Sequence, residues 1–187
     1  MSLRTIADHI LDIAQNSVNA GAKLVEIHIE EDPQKGVFKF VVKDDGRGMT
    51  EEELKRLFDP FYTTRDHKIR RIGLGLPMLK YACESTGGKV DVHSKKGEGT
   101  LVEAVFNTSH IDCQPVGDIA GSIFALLFSS KDVDWVIKRV YNGKTYIVDS
   151  KTLKENLSEA DWENPKIMNL IREFVEELEK SVKEEKL

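Results

Sequence analysis

Asp12 and Asn16 stand four residues apart in a stretch of helical periodicity, so a carboxylate and an amide oxygen share one face on successive turns. That pair suits a hard cation. Mg²⁺ keeps several waters and takes few protein oxygens, so a single Asn oxygen can hold it. A carboxylate one turn earlier can orient an attacking water and take its proton. Further along, Asp44-Asp45-Gly46-Arg47-Gly48-Met49 puts a short acceptor at the end of an apolar strand, followed by two glycines. The acceptor can take a hydrogen bond from an exocyclic amine, and the glycines let a flat ligand approach the backbone. Gly73-Leu74-Gly75-Leu76-Pro77 is a glycine loop opening a helix, a geometry that receives phosphate on backbone N–H groups. Arg65, His67, Lys68, Arg70 and Arg71, just before it, add positive potential where a polyphosphate would lie. Each segment alone is ordinary. In this order they predict a site for Mg²⁺ and an adenine nucleotide.

Rival uses of the same residues fail on spacing. An EF-hand register at Asp45-Gly46 would put Val41 and Lys43 at ligand positions. The Gly73 loop lacks the third glycine of a dinucleotide fingerprint and the Gly-Lys-Ser/Thr of a P-loop. On the first helix, Thr5, Asp8, Asp12, Asn16 and Asn19 fall within roughly 60° of one line. That stripe contains no Lys or Arg, unlike an ordinary solvated face.

The elements that must position these groups follow from local signals. Thr5 to Asn19 reads as a helix stopped by Gly21. Val25, Ile27 and Ile29 alternate with polar residues, and Val37 to Lys43 forms a second strand after a turn at Pro33 to Gly36. Thr50 with Glu53 is a capping box for a short helix through Phe58. A polar loop of about fifteen residues follows, long enough to mark it as functional. Pro77 reads as the first position of a helix to Ser85, and strands at Val90/Val92 and Val102 to Phe106 come after it. This order predicts an α+β layer with paired strands. After Thr108 come an apolar helix, Ile119 to Phe128, and a hairpin about Asn142-Gly143. Last is a long helix from Pro165 whose stripe Ile167, Leu170, Ile171, Phe174, Val175 and Leu178 should dock on the Ile119 helix, leaving Glu176, Glu177, Glu179, Lys180 and Lys183 in water. The expected division is 1–108 for nucleotide binding and 109–187 as a C-terminal appendage.

The chain has 187 residues and a formal net charge of -5, which gives no basic face for a nucleic acid. Its two cysteines, Cys83 and Cys113, suit neither a disulfide framework nor a metal cluster. No signal peptide or membrane-length apolar run is evident, and a cytoplasmic setting is expected.

In order and spacing these motifs resemble the GHKL superfamily of gyrase-type topoisomerases, heat-shock chaperones, histidine kinases and MutL, over roughly Leu3 to Thr108. Asp12 to Ala22 looks like the helix box of MutL, and Phe58 to Thr64 with Gly73 to Thr100 looks more like histidine kinases. The resemblance implies a Bergerat-type two-layer α/β sandwich, with a mixed sheet and helices on one face, that binds ATP and Mg²⁺. It implies Asn16 as the Mg²⁺ ligand, Asp12 as the catalytic carboxylate and Asp44 as the adenine acceptor. Gly46, Gly48, Met49 and Thr100 would line the base pocket. Phe58 to Gly75 would form an ATP lid, with Phe58, Arg71, Gly73, Leu74, Gly75 and Leu76 contacting the nucleotide. Three departures stand out. Asp12 replaces the Glu of the ATPases and the Asn of histidine kinases, and Arg71-Ile72 replaces a common Gly-Thr pair. The sequence also starts at the ATP domain, without the helical domain that carries a kinase's acceptor His, and His9 on the nucleotide helix is not read as one. Three uses stay open: a slow ATPase acting on a partner protein, a kinase acting in trans as anti-sigma-factor serine kinases do, and an ATP-dependent binding module. A homodimer is open as well.

Overall fold

Thr5 caps α1 (Ile6–Asn19) through a capping box with Asp8, and the next orphan donors, Ile6 N and Ala7 N, bond to the carbonyls of Pro115 and Val116. In the computed structural model, residues 3–61 and 74–184 are described. Six strands follow from the alternating stretches: β1 (Leu24–Asp32), β2 (Val37–Asp44), β3 (Lys89–Lys95), β4 (Gly99–Asn107), β5 (Asp134–Tyr141) and β6 (Lys144–Asp149). They make one sheet in the order β3-β4-β2-β1-β5-β6, antiparallel throughout except for the parallel pair β1–β5.

Period-2 patterning gives this sheet a dry face and a wet one. Val25, Ile27, Ile29, Phe38, Phe40, Val42, Ala104, Phe106, Trp135 and Ile137 are buried on the first. Ion pairs such as Lys39–Glu103 and Lys43–Glu26 lie on the second. The dry face is covered by α1, α3 (Gly75–Glu84), α4 (Ile119–Ser129) and α7 (Pro165–Lys183), with the short α2 (Glu51–Lys55) near the end of β2. This is the expected mixed sheet with helices on one face. Among the described residues no helix is long and apolar enough to cross a membrane.

Local details depart from expectation. Helix α3 begins at Gly75, so Pro77 is its third residue; the first-turn N–H groups have no intrahelical partner anyway, and a proline costs nothing there. Two short helices, α5 (Ser150–Asn156) and α6 (Glu159–Trp162), follow β6, each opened by a side-chain cap from Asp149 or Ser158. The segment after Thr108 also adds β5 and β6 to the same sheet as β1 to β4.

Helix α7 lies against α4, with Ile171 and Val175 buried and Arg172 stacked 4.5 Å over the Phe124 ring. Glu179, expected in water, is instead 6% exposed. It accepts from Nε and Nη2 of Arg139 at 3.2 and 3.1 Å, and from the Tyr146 hydroxyl at 2.8 Å. Arg139 is fully buried on β5 and also donates to Glu31 of β1 at 2.5 Å. A buried guanidinium needs that compensation, and α7 supplies it.

Burial raises the Glu179 carboxyl pKa, but the bonds and charge of Arg139, with Tyr146 and Lys183, outweigh it and hold the carboxyl below its ordinary 4.5. A depressed folded value contributes stability above the unfolded pKa and loses it as pH falls through the folded one. Glu179→Gln should therefore cost about 3 kcal/mol at neutral pH. In thermal melts the gap to the wild type should be fully present above the ordinary carboxylate range and shrink as the pH falls below it. A gap unchanged with pH would show that Glu179 does not act through its charge.

Candidate functional site

The expected site residues lie where α1, the end of β2, the β3–β4 hairpin and the start of α3 meet. The Asp44 carboxylate, 9% exposed, accepts from Ser17 Oγ at 2.6 Å and from Gly46 N at 2.9 Å. Each oxygen is thus held by one donor, leaving acceptor lone pairs for a further N–H. Across the ladder Asp44 faces Thr100, and Thr100 faces Ser94, whose hydroxyls lie 2.8 Å apart. Ser94 Oγ also accepts from Met49 N at 2.9 Å, which ties the glycine loop to β3.

Glycines permit this stacking of backbones. A Cβ on Gly48, at φ +64°, would lie 2.0 Å from the Lys95 carbonyl, and one on Gly99, at φ +95°, 1.9 Å from that of Asp44. Arg47 N bonds to the Ala20 carbonyl at the end of α1, and Gly97 N bonds to the Arg47 carbonyl at 2.7 Å. Asp45 takes no part in the pocket. Its Oδ1 caps the start of β1 by accepting from Lys23 N and Leu24 N, and the Leu24 bond leads in lowering its pKa against burial.

On the helix side, the structure brings Asp12 to α3. A Cβ at Gly75 would meet Asp12 Oδ2 at 1.9 Å, so the carboxylate rests against the first residue of that helix. Asn16 follows one turn later on the same partly exposed face. Leu74 precedes the helix and is 39% exposed, while Leu76 packs partly on the core. Phe58 lies under Lys80 of α3, with Nζ 4.6 Å from the ring centre. His9, also on α1, is buried and bonded to Gln114 at 3.0 Å; desolvation lowers its pKa, favouring a neutral imidazole. Arg71, Gly73 and the basic run from Arg65 lie outside the described residues.

Asp12, Asn16, Gly75, Asp44, Gly46, Gly48, Met49 and Thr100 therefore gather at one end of the dry layer. A cavity of about 400 Å³ opens at this end, touching Asp44, Ser94 and Thr100 and passing along Leu54 and His93, but lined by neither Asp12 nor Asn16. Sequence reasoning missed Ser17 and Ser94. Ser17 had a signal: it is a small polar residue on the apolar side of α1, where only a buried partner would justify it.

Asp12 and Asn16 offer a carboxylate and an amide oxygen, which fit Mg²⁺, and the acceptor-only Asp44 fits an adenine amine. The family profile of histidine kinase-, DNA gyrase B-, and HSP90-like ATPases matches residues 1–110, and the chain belongs to that family. Domains of this superfamily generally bind Mg-ATP. The sequence is 47% identical over 60 residues to sporulation kinase E of Bacillus subtilis, covering 32% of this chain and 8% of that protein. It is 32% identical over 85 residues to the sensor protein kinase WalK of Staphylococcus aureus, covering 44% and 20% respectively. The chain thus spans a fifth or less of these curated relatives. Among solved structures, the N-terminal domain of a DNA repair protein matches with a TM-score of 0.55 over 77% of this chain and 51% of that one; at 13% identity the likeness is one of fold.

Gly75→Ala tests the Asp12 contact. The methyl group must push the carboxylate aside, at little cost in stability because the atom it meets is the end of a flexible, partly exposed side chain. Backbone amide shifts should move at both Asp12 and the first turn of α3. Changes confined to α3 would show that the two do not touch in solution.

Proposed function

We propose that this chain binds Mg-ATP at the junction of α1, β2 and α3 and turns it over slowly, using the nucleotide to set the state of a partner protein. The observation that carries the reading is the Asp12 carboxylate resting against Gly75, with Asn16 one turn along and Asp44 at the strand end. In this reading Asn16 supplies the Mg²⁺ ligand, Asp44 accepts the adenine amine, and Gly46, Gly48, Met49 and Thr100 shape the base pocket. Phe58, Leu74, Gly75 and Leu76 border the phosphates, with Arg71 and Gly73 assigned there by motif alone. Residues 1–108 form the nucleotide unit, and 109–187 brace it. Bound Mg-ATP supplies the phosphoryl group; Asp12 takes the proton of the attacking oxygen.

The relatives' names, sporulation kinase and sensor protein kinase, favour a second version in which that oxygen belongs to a hydroxyl of a protein substrate. Asp12 serves either acceptor. Incubation with γ-labelled ATP and Mg²⁺, with and without cell extract, separates them: free phosphate marks hydrolysis, and label on protein marks transfer. Tight binding with neither outcome would make the chain a binding module and remove Asp12 from catalysis.

Two substitutions divide recognition from turnover. Asp44→Asn turns an acceptor-only group into one with donors facing an amine, and should weaken nucleotide binding by more than about 1 kcal/mol. Wild-type affinity by calorimetry would remove Asp44 from the base pocket. Asp12→Asn should keep Mg-ATP affinity and lose about 10²–10⁴-fold in turnover. Asp12 also stands at the N-terminus of α3, where a polyphosphate is favoured, and two anions there need a cation between them. Asp12→Asn should therefore bind ATP in excess chelator more tightly than the wild type does. Equal affinities without Mg²⁺ would place Asp12 away from the phosphates.

A further inference from the structure

Asp44, Thr100 and Ser94 stand side by side on β2, β4 and β3, and all three border the cavity. Residues directly opposite in a ladder point to the same side, so their oxygens form one row. A hydroxyl has one proton to give and two lone pairs to receive with. Ser94 uses all of them. Its Oγ accepts from Met49 N at 2.9 Å, donates to the Gly99 carbonyl at 3.0 Å and lies 2.8 Å from Thr100 Oγ1.

The direction of the last bond follows from the other two. With the Ser94 proton on Gly99, whose carbonyl only accepts, the Thr100 contact is a bond when Thr100 gives its own proton to Ser94. The reverse wiring, Ser94 to Thr100, forfeits the Gly99 bond, and partly buried polar groups favour the arrangement that makes more bonds. Thr100 Oγ1 therefore turns only lone pairs toward the cavity. Asp44 beside it is an acceptor too, held by Ser17 Oγ and Gly46 N with lone pairs to spare. A threonine that elsewhere serves as donor or acceptor is matched here to the carboxylate next to it.

We infer, resting on the Mg-ATP reading, that Ser94 is a positioning residue for base selectivity: by taking the Thr100 proton it makes Asp44 and Thr100 a paired acceptor for both N–H groups of one exocyclic amine. Directly opposite residues of antiparallel strands have Cβ atoms about 4.5–5.5 Å apart. An amine nitrogen can therefore sit between the two oxygens at hydrogen-bond length from each. A base with a carbonyl in that place sets its lone pairs against two other acceptors. Asp44 alone does not exclude such a base, because a carboxylate can accept from the ring N–H next to the carbonyl. The second acceptor closes that route, and it is an acceptor because of Ser94.

The test is calorimetry on the full chain with Mg²⁺, comparing ADP with inosine diphosphate, which carries a carbonyl where ADP carries the amine. The wild type should prefer ADP by about tenfold or more, as expected of a hydrogen bond made in one case and opposed in the other. Ser94→Ala frees the Thr100 hydroxyl to turn and donate to a carbonyl, and should shrink that preference by about fivefold. Loss of the Met49 bond alone would weaken both nucleotides in parallel and leave the ratio as it was. Thr100→Val keeps the shape of the side chain without its hydroxyl and should shrink the ratio too, a result that decides even where Ser94→Ala does not fold. In the Thr100→Val background, Ser94→Ala should leave the ratio unchanged, because Ser94 acts through Thr100. Either single variant with the wild-type ratio overturns the inference, as does a Ser94 effect that persists without the Thr100 hydroxyl. A wild type that binds both nucleotides equally overturns this inference alone; one that binds neither overturns the Mg-ATP reading with it.

Discussion

The buried hydrogen bond from Ser17 to Asp44 sets the geometry on which the site depends. It joins the helix that carries Asp12 and Asn16 to the strand end that carries the acceptor. Helix α1 is a rigid rod, so fixing Ser17 against β2 also fixes how far Asn16 and Asp12 stand from Asp44. A polar contact inside an apolar layer is intolerant of displacement, because a half-broken version leaves a desolvated oxygen. The loop above is clamped from both sides, to Ala20 on α1 and through Gly97 to the hairpin. Gly48 and Gly99 let these backbones approach more closely than any side chain would allow.

The long periodic elements were legible because burial imposes their period. β1 and β2 alternate, α1 carries a polar stripe, and the Asn142-Gly143 turn has the φ values its residues favour. Thr50 with Glu53 caps α2 as its spacing predicts. The candidate site was proposed from motifs, and the contacts between those motifs could not be read from them. Nothing in the spacing of Asp12 and Gly75 says that one touches the other. That follows from α1 and α3 sharing the dry face, which is a property of the whole sheet. Helices α5 and α6 were hidden because they are short and weakly periodic, marked only by caps. Glu179 was misplaced because a helical wheel counts a carboxylate as polar and cannot see a buried arginine on another strand.

That arginine explains how the C-terminal segment is bound to the rest. Pairing of β5 with β1 is parallel, and its register brings Arg139 opposite Ile29 on the dry face. A fully buried guanidinium there would be costly without carboxylates. Glu31 comes from β1 and Glu179 from α7, so a single side chain requires three separate elements to be in place. Tyr146 closes the group, and burial together with the nearby Glu179 charge pushes its phenol pKa up, keeping it a neutral donor. The segment is therefore specified by an ion network as much as by apolar area, and α7 cannot shift along the sheet without losing it.

The same close fitting bears on Asp12. An aspartate reaches one methylene less far than a glutamate, which would leave its carboxylate short of groups across a cleft. Here α3 begins on Gly75, and the missing Cβ lets the start of that helix come into contact with the carboxylate. The acid and the glycine are fitted to each other: a larger residue at position 75 would displace the Asp12 carboxylate. Any substitution at one position is therefore felt at the other, and the two should be treated as a coupled pair.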